Sequence, residues 1–473
     1  MARPAIVPTT EERSFSIEEL FISTTDHKGI ILTGNKVFAR VSGWAPAELI
    51  GQPHNILRHP DMPRVVFKLL WDEIQAGRPI VAYVKNLART GGSYWVIASV
   101  VPTGSGYLSV RFKPSSAIFP VVQGLYAQLR AVEAEIEDAD GTRAEAMSAS
   151  GAALGAALQT LGYGSYQDFM LTFVPAELKS RDAGMASPDL SRDESAVADA
   201  NPETDLGEIG RDVAVVGRFL HDEFSQLDQF VALGETLVGK AEFVRDLAKN
   251  VRLISQNVSI SSRRRESAGR PLAVVGDTIR DLADRVGGLT VGLTERIHNL
   301  SAALRHQAFR ISIARLQAQT AAAFVDEMGA PPSSGTAEPV LVGSACGSIA
   351  ALTQYLAEES AALFGAYREI GGTLRLVSGE ASQLRDLLKT LDMVRLTGRV
   401  EVSRLKDNGE FQVLFDTIEK ELAAATTQLG ELAVAMASIA EATARGSARE
   451  RDLLARLAQA GEAVQRIEQL ERA

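Results

Sequence analysis

Gly51-Gln52-Pro53-His54-Asn55-Ile56-Leu57-Arg58-His59-Pro60-Asp61-Met62-Pro63 places two imidazoles, a guanidinium and a carboxylate among prolines, directly ahead of strand-like sequence. Proline fixes φ, so Pro60 and Pro63 restrict the backbone on either side of Asp61. Arg58 offers a planar, permanently charged fork for a pyrophosphate or a carboxylate, and His59 can donate or accept near neutral pH. The competing structural reading is a local Arg58–Asp61 ion pair with His59 capping a helix. Working outward, Tyr83-Val84-Lys85-Asn86, a Gly91-Gly92 turn and Tyr94-Trp95-Val96-Ile97-Ala98-Ser99-Val100-Val101-Pro102 predict a hairpin. Upstream, Phe21–Asp26 and Gly29–Thr33 read as two short strands, and Asn35 opens a segment running through Phe38, Val41 and Trp44.

Two strands, short helices and then three strands is a PAS-like order. The segment from Phe21 to Lys113 resembles the PAS domain of bacterial aerotaxis receptors, through Ser23-Thr24-Thr25-Asp26, Asn35 and Phe38, the Arg58-to-Pro63 block, Lys85-Asn86 and Tyr94-Trp95-Val96. That resemblance implies noncovalent FAD and a redox-reporting role, with Asn35, Arg58, His59 and Asp61 as the flavin-binding positions. Where the family often has Trp after Gly-x-Pro, here Gly77-Arg78-Pro79, this chain has Ile80. Haem, ligated by His27 or His54, is the alternative cofactor.

A chain of 473 residues exceeds one ordinary core and predicts about three domains. A net charge of −10 argues against nonspecific nucleic-acid binding, which needs a positive field. The single cysteine, Cys346, rules out an internal disulfide and fits a reducing cytoplasm. No run approaches the ~18 apolar residues that a membrane span needs, and no signal-peptide pattern opens the chain. The expectation is a cytoplasmic protein without a metal site or catalytic constellation, and not an enzyme.

After a PAS domain at 15–115, residues 116–180 predict a helical connector. Val122, Leu125, Leu129, Val132 and Ile136 mark one helical face, and a second element from Gly151 to Lys179 buries Leu154, Leu158, Leu161, Tyr166, Phe169, Met170 and Phe173. Residues 181–205 are acidic and rich in Ala, Ser, Asp and Pro, which predicts a linker. Beyond Asp205 the apolar spacing becomes that of a coiled coil. Val213, Val216, Leu220, Leu227, Phe230, Leu237, Ala241, Val244, Ala248, Val251 and Val258 form one stripe, interrupted at Glu223, Gly234 and Ser255. A polar break at 263–271 predicts a reversal, with a new helix starting at Pro271 and carrying Val274, Val275, Ile279, Leu282, Val286, Leu289, Leu293 and Ile297.

The reversal, with Ser255-Gln256-Asn257-Val258-Ser259-Ile260, Arg264, Gly269-Arg270 and Ala273-Val274-Val275, resembles the cytoplasmic hairpin tip of methyl-accepting chemotaxis receptors. The resemblance implies contact with a coupling protein and a histidine kinase through Asn257 and Arg264. Ser261 stands where that family has glutamate, and Pro271-Leu272 departs from its pattern. About 140 residues later Leu396-Thr397-Gly398-Arg399-Val400-Glu401, Arg404, Gly409, Phe411, Val413-Leu414 and Asp416-Thr417-Ile418 repeat the pattern, adding Glu401 and Arg404 as partner-binding candidates. Hairpins at 206–328 and 346–473, joined by a linker at 329–345, predict arms of roughly 80 Å at ~1.5 Å per residue. They pair within one molecule as a pseudo-dimer, or the chain homodimerises. The fold class expected is therefore an α+β PAS domain followed by all-α long helical hairpins, as a four-helix bundle or coiled coil. The function expected is a sensory transducer, against a cofactor-free scaffold.

Overall fold

Alternating side chains from residue 21 onward build one antiparallel sheet in the order β2-β1-β5-β4-β3. Its strands are β1 (Phe21–Thr25), β2 (Ile31–Gly34), β3 (Ile80–Leu87), β4 (Ser93–Thr103) and β5 (Gly106–Phe112). The structure, a computed structural model, describes residues 6–185, 204–264, 266–329, 342–405 and 408–472. The register pairs Ala98 with Arg111 and with Ala82, so those three positions share one face of the sheet. Helices α1 (Lys36–Ser42), α2 (Pro46–Leu49) and α3 (Arg64–Gln75), with a 3₁₀ turn at His54–Leu57, fill the β2–β3 connection.

The opposite face is covered by α4 (Ile118–Asp138) and α6 (Tyr166–Gly184), with α5 (Arg143–Thr160) between them in sequence. Tyr83 on β3 lies between Phe119 and Phe173, with ring centroids 5.9 and 4.9 Å away. The buried stripe of α4 is Val122, Tyr126, Leu129 and Glu133 rather than the face through Leu125, Val132 and Ile136. Glu133 turns inward because α3 needs an acceptor at its N-terminus, where Pro63 has no capping side chain. Its carboxylate accepts from Arg64 N at 2.8 Å, Val65 N at 3.1 Å and Ser150 Oγ at 2.9 Å. Leu161, expected in the core, is 46% exposed because the chain turns there between α5 and α6.

Arg181, at the start of the expected linker, is instead a buried residue of α6. Its guanidinium donates to Ile17 O, Glu18 O and Gln319 Oε1 at 3.0–3.1 Å, and these bonds extend the helix. Residues 186–203 of that linker and 330–341 of the second lie outside the described residues.

The long helices are α7 (Asp205–Ser225), α8 (Leu227–Arg263), α9 (Glu266–Gly329), α10 (Val342–Ser403), α11 (Gly409–Ala448) and α12 (Glu450–Arg472). Every residue of the stripe from Val213 to Val258 is buried, and so are its interruptions Glu223, Gly234 and Ser255. The new helix starts at Glu266, five residues before Pro271, which sits inside it; Val274 points outward at 67% exposure while Val275 is buried.

Contacts divide the chain into two compact units, and the division runs across the two expected hairpins. One unit holds Met1–Ser225, Ala308–Leu363 and Glu450–Ala473; the other holds Gln226–Gln307 and Phe364–Arg449. In the first, Arg466 pairs with Asp205 at 2.6 Å and Arg456 with Asp212 at 3.1 Å, joining α12 to α7. In the second, polar contacts run around a ring of four helices. Arg252–Asp284 at 3.3 Å links α8 to α9, Arg296–Glu380 at 2.9 Å links α9 to α10, Arg395–Glu419 at 2.6 Å links α10 to α11, and Asn250–Glu421 at 3.4 Å links α11 back to α8. Both repeats thus contribute two helices to one bundle within a single chain.

One helical stretch, Gly409–Ile467, is long and apolar enough to cross a membrane by length and composition, contrary to the expectation of none. Its alanines raise the hydropathy, and Phe411, Phe415, Ile418, Leu422, Ala425 and Leu429 at three-to-four spacing are buried in the bundle.

Candidate functional site

Between the concave face of the sheet and α3 lies a cavity of about 170 Å³. Its walls are Val84 and Asn86 of β3, Ala98 and Val100 of β4, and Tyr107, Ser109 and Arg111 of β5, all at alternate positions on one face. Phe67, Leu70, Trp71 and Ile74 of α3 close it, and Lys28, Gly29, His54, Asn55 and Arg58 complete the lining. Gly29 has φ +77°, and a Cβ there would meet Trp71 Cη2 at 2.9 Å, so only glycine lets the indole seat. Trp71 and Tyr107 meet edge to face at 5.8 Å.

The four cofactor candidates read from the sequence separate in space. Asn35 caps α1 and ties it to β1: Oδ1 accepts from Phe38 N and Ile22 N at 3.0 and 3.1 Å, and Nδ2 donates to Leu20 O at 2.8 Å. Those bonds commit its amide to the scaffold, outside the cavity lining. Arg58 lines the cavity, with its guanidinium over Phe67 at 4.3 Å and Nη2 donating to Met62 O at 3.0 Å. His59 is buried, and its Nδ1 accepts from Asp61 N at 3.1 Å. Burial, with Lys85 acting in the same direction against Asp61, lowers the His59 pKa, which favours the neutral ring.

Asp61 faces outward and pairs with Lys85 Nζ at 2.6 Å. Partial burial acts to raise its pKa, but the bond to Lys85 and the charges of His59 and Lys85 hold it below the usual value. The Arg-His-Pro-Asp block therefore works as a latch. Arg58 bridges Asn86, and His59 N donates to Lys85 O at 3.3 Å, pinning the segment to β3. Ile80, at the position where the aerotaxis family often has Trp, is buried outside the lining.

Of the two haem-ligand alternatives, His27 is exposed and lies outside the lining. His54 Nε2 sits 2.5 Å from Arg111 Nη2. A guanidinium only donates, so Nε2 accepts and its lone pair is engaged. Desolvation, then the charge of Arg111, pushes the His54 pKa well below its ordinary value. Among the described residues no His, Cys, Asp or Glu cluster has metal-binding geometry.

Trp71, Tyr107, Ser109 and Arg111 are not singled out by the sequence reading. The available signal was the strand Tyr107-Leu108-Ser109-Val110-Arg111-Phe112, whose polar members recur every second residue. In a strand that is buried throughout, such a set must face something polar. The partner-binding candidates lie in the four-helix unit: Asn257, Arg264 and Arg404 are exposed, and Arg404 pairs with the partly buried Glu401 at 2.8 Å.

The PAS fold family model matches residues 20–114. The chain is 38% identical over 128 residues to the aerotaxis receptor of Escherichia coli (strain K12), covering 26% of this chain and 25% of that one. Nitrogen fixation regulatory proteins of Klebsiella pneumoniae and Klebsiella oxytoca are 31% and 30% identical over 81 residues, each match covering 17% of this chain and 16% of the relative. The chain thus spans a quarter or less of the length of these curated relatives. With five antiparallel strands, the helical β2–β3 connection and a cavity on the concave face, residues 20–114 belong to the PAS fold family.

Proposed function

We propose that this protein is a cytoplasmic sensory transducer in which the PAS cavity binds FAD and the state of that cofactor alters the packing of the attached helices. The observation that carries this reading is the two-faced role of β3. Val84 and Asn86 line the cavity, while Tyr83 on the other face donates to Glu177 Oε1 of α6 at 2.7 Å. One turn further, α6 holds the helical part of the same unit, where Arg181 donates to Gln319 and Asp182 accepts both Arg315 Nη groups at 2.7 and 2.9 Å. A shift of β3 against its ligand is therefore felt by a helix bonded to the sheet at one end and to α9 at the other. Switching of packed contacts between discrete arrangements is how small displacements reach distant elements.

The lining fits a flavin. Phe67, Trp71 and Tyr107 supply aromatic surface, and Lys28, Arg58 and Arg111 supply cations without a carboxylate. At about 170 Å³ the cavity is smaller than the ~300–1,000 Å³ of whole-ligand sites, so it would enclose only part of the cofactor, and Lys28 and Arg58 are the residues that would hold its phosphates. When bound, a flavin supplies reversible electron transfer, and the protein's part is to hold it and respond. The aerotaxis-receptor relative supports a redox-linked signal.

Partners of the kind named by the resemblance, a chemotaxis coupling protein and a histidine kinase, would meet the helical tip. There the two repeats expose matched apolar side chains, Ile260 and Val400 at 52% and 55%, and Val274 and Val413 at 67% and 65%. The test is the visible spectrum of purified full-length protein. Flavin bands that survive desalting support the reading, a Soret band replaces FAD with haem, and a colourless protein leaves a cofactor-free PAS and helical scaffold.

A further inference from the structure

Arg111 sits in the middle of β5 at 3% exposure, and its Nη1 has no hydrogen-bond partner. Its Nη2 partners are neutral: Ser23 Oγ at 3.0 Å and the His54 imidazole at 2.5 Å, with the Phe38 ring 5.3 Å from the guanidinium carbon. Burial lowers its pKa to about 10, which leaves it charged at neutral pH. Two residues away on the same face, Ser109 Oγ is likewise buried and without a partner. The cavity lining holds three cationic residues, Lys28, Arg58 and Arg111, and no carboxylate. A buried cation with spare donors and no counter-charge is costly unless something anionic completes it.

We propose that Arg111, with Ser109 beside it, is the recognition group of the cavity, taking an anionic or electron-rich acceptor edge of the ligand. This rests on the flavin reading and deepens it: the edge is that of the ring system, which gains negative charge on reduction. Arg111 thereby favours the reduced form over the oxidised one, and the four positions read from the sequence do not include this contact. Charge-assisted hydrogen bonds of this kind are about twice as strong as neutral ones.

The experiment uses the full chain as wild type, Arg111→Met, Arg111→Lys and Ser109→Ala, with FAD as the probe. Affinity is read from flavin retention and reduction potential from anaerobic titration, with tryptophan fluorescence reporting folding. Arg111→Met is expected to weaken FAD binding roughly 10- to 100-fold. It is also expected to lower the potential, by about 30 mV for each tenfold of affinity lost selectively by the reduced form. Arg111→Lys should fall between wild type and Arg111→Met. If Arg111→Met does not fold, Ser109→Ala and Arg111→Lys decide, and unchanged affinity in both overturns the assignment. A yellow wild type whose affinity and potential ignore Arg111→Met overturns this inference alone. A colourless wild type overturns the flavin reading and this inference with it.

Discussion

Glu177 is the point at which the PAS sheet can be uncoupled from α6 without touching the cavity. The carboxylate is fully buried and accepts four hydrogen bonds: Tyr83 Oη at 2.7 Å, Ser116 Oγ at 2.8 Å, Ser115 N at 2.8 Å and Ser116 N at 2.9 Å. Glu177→Gln can keep its oxygen on the two backbone donors and turn its NH₂ toward the two hydroxyls, which rotate to accept. It loses the charge but not the bonds, a cost of about 1–2 kcal/mol. Glu177→Leu keeps the volume and removes every acceptor. The Tyr83 and Ser116 hydroxyls and two backbone N–H groups then lose their partner, and at ~1–3 kcal/mol for each group the expected loss is about 4 kcal/mol or more. Tyr83→Phe removes one bond of four and should cost about 1 kcal/mol.

Urea unfolding followed by tryptophan fluorescence isolates this effect. The three tryptophans, Trp44, Trp71 and Trp95, all lie within the PAS domain, so the long helices contribute no signal. With m of about 1–3 kcal/mol/M, Glu177→Leu should lower the midpoint by roughly 1 M or more, with Glu177→Gln and Tyr83→Phe between it and wild type. A midpoint for Glu177→Leu within about 0.3 M of wild type, at unchanged m, would refute the claim that this carboxylate holds α6 to the sheet.

In the four-helix unit, a Cβ on Gly398 would lie 2.4 Å from Phe415 Cζ and 2.9 Å from Val275 Cγ1, both buried side chains. Overpacking of about 1–3 kcal/mol should outweigh the ~1 kcal/mol helix-propensity gain, so Gly398→Ala lowers the far-UV CD melting temperature, whereas Gly239→Ala, with open space around it, raises it. Stability of the PAS domain should also depend on pH through His54 and His59, whose folded pKa values lie below the ordinary 6.5. The unfolded chain binds more protons there, so the stabilisation is full above about pH 6.5 and is lost as pH falls toward the folded values. Fluorescence-detected urea midpoints that stay flat from pH 7.5 to 5.5, a range spanning roughly one unit either side of that unfolded value, would contradict this.

What the chain order settled is local. Strand alternation, the Gly91-Gly92 turn, Asn35 as a helix opener and the three-to-four apolar stripe beyond Asp205 depend on neighbours a few residues away, and each appears in the structure. The stripe was legible even through Glu223, Gly234 and Ser255, because burial follows the face of the helix rather than the residue at one position on it.

What only tertiary structure decided is which polar groups are spent on the scaffold and which are left over. Asn35 and His59 look like ligand residues in sequence, yet their side chains bond backbone groups of their own domain. Arg181 reads as the edge of a linker until Ile17, Glu18 and Gln319 close around it. Arg111 reads as one arginine in a strand until Ser23 and His54 take one nitrogen and leave the other buried without a partner, beside a cavity whose lining has no carboxylate. The pairing of α8 with α11, contributed by different repeats, is of the same kind. A hydrogen-bond donor's surplus and a helix's partner are sums over groups distant in the chain, and only the folded molecule brings those groups together.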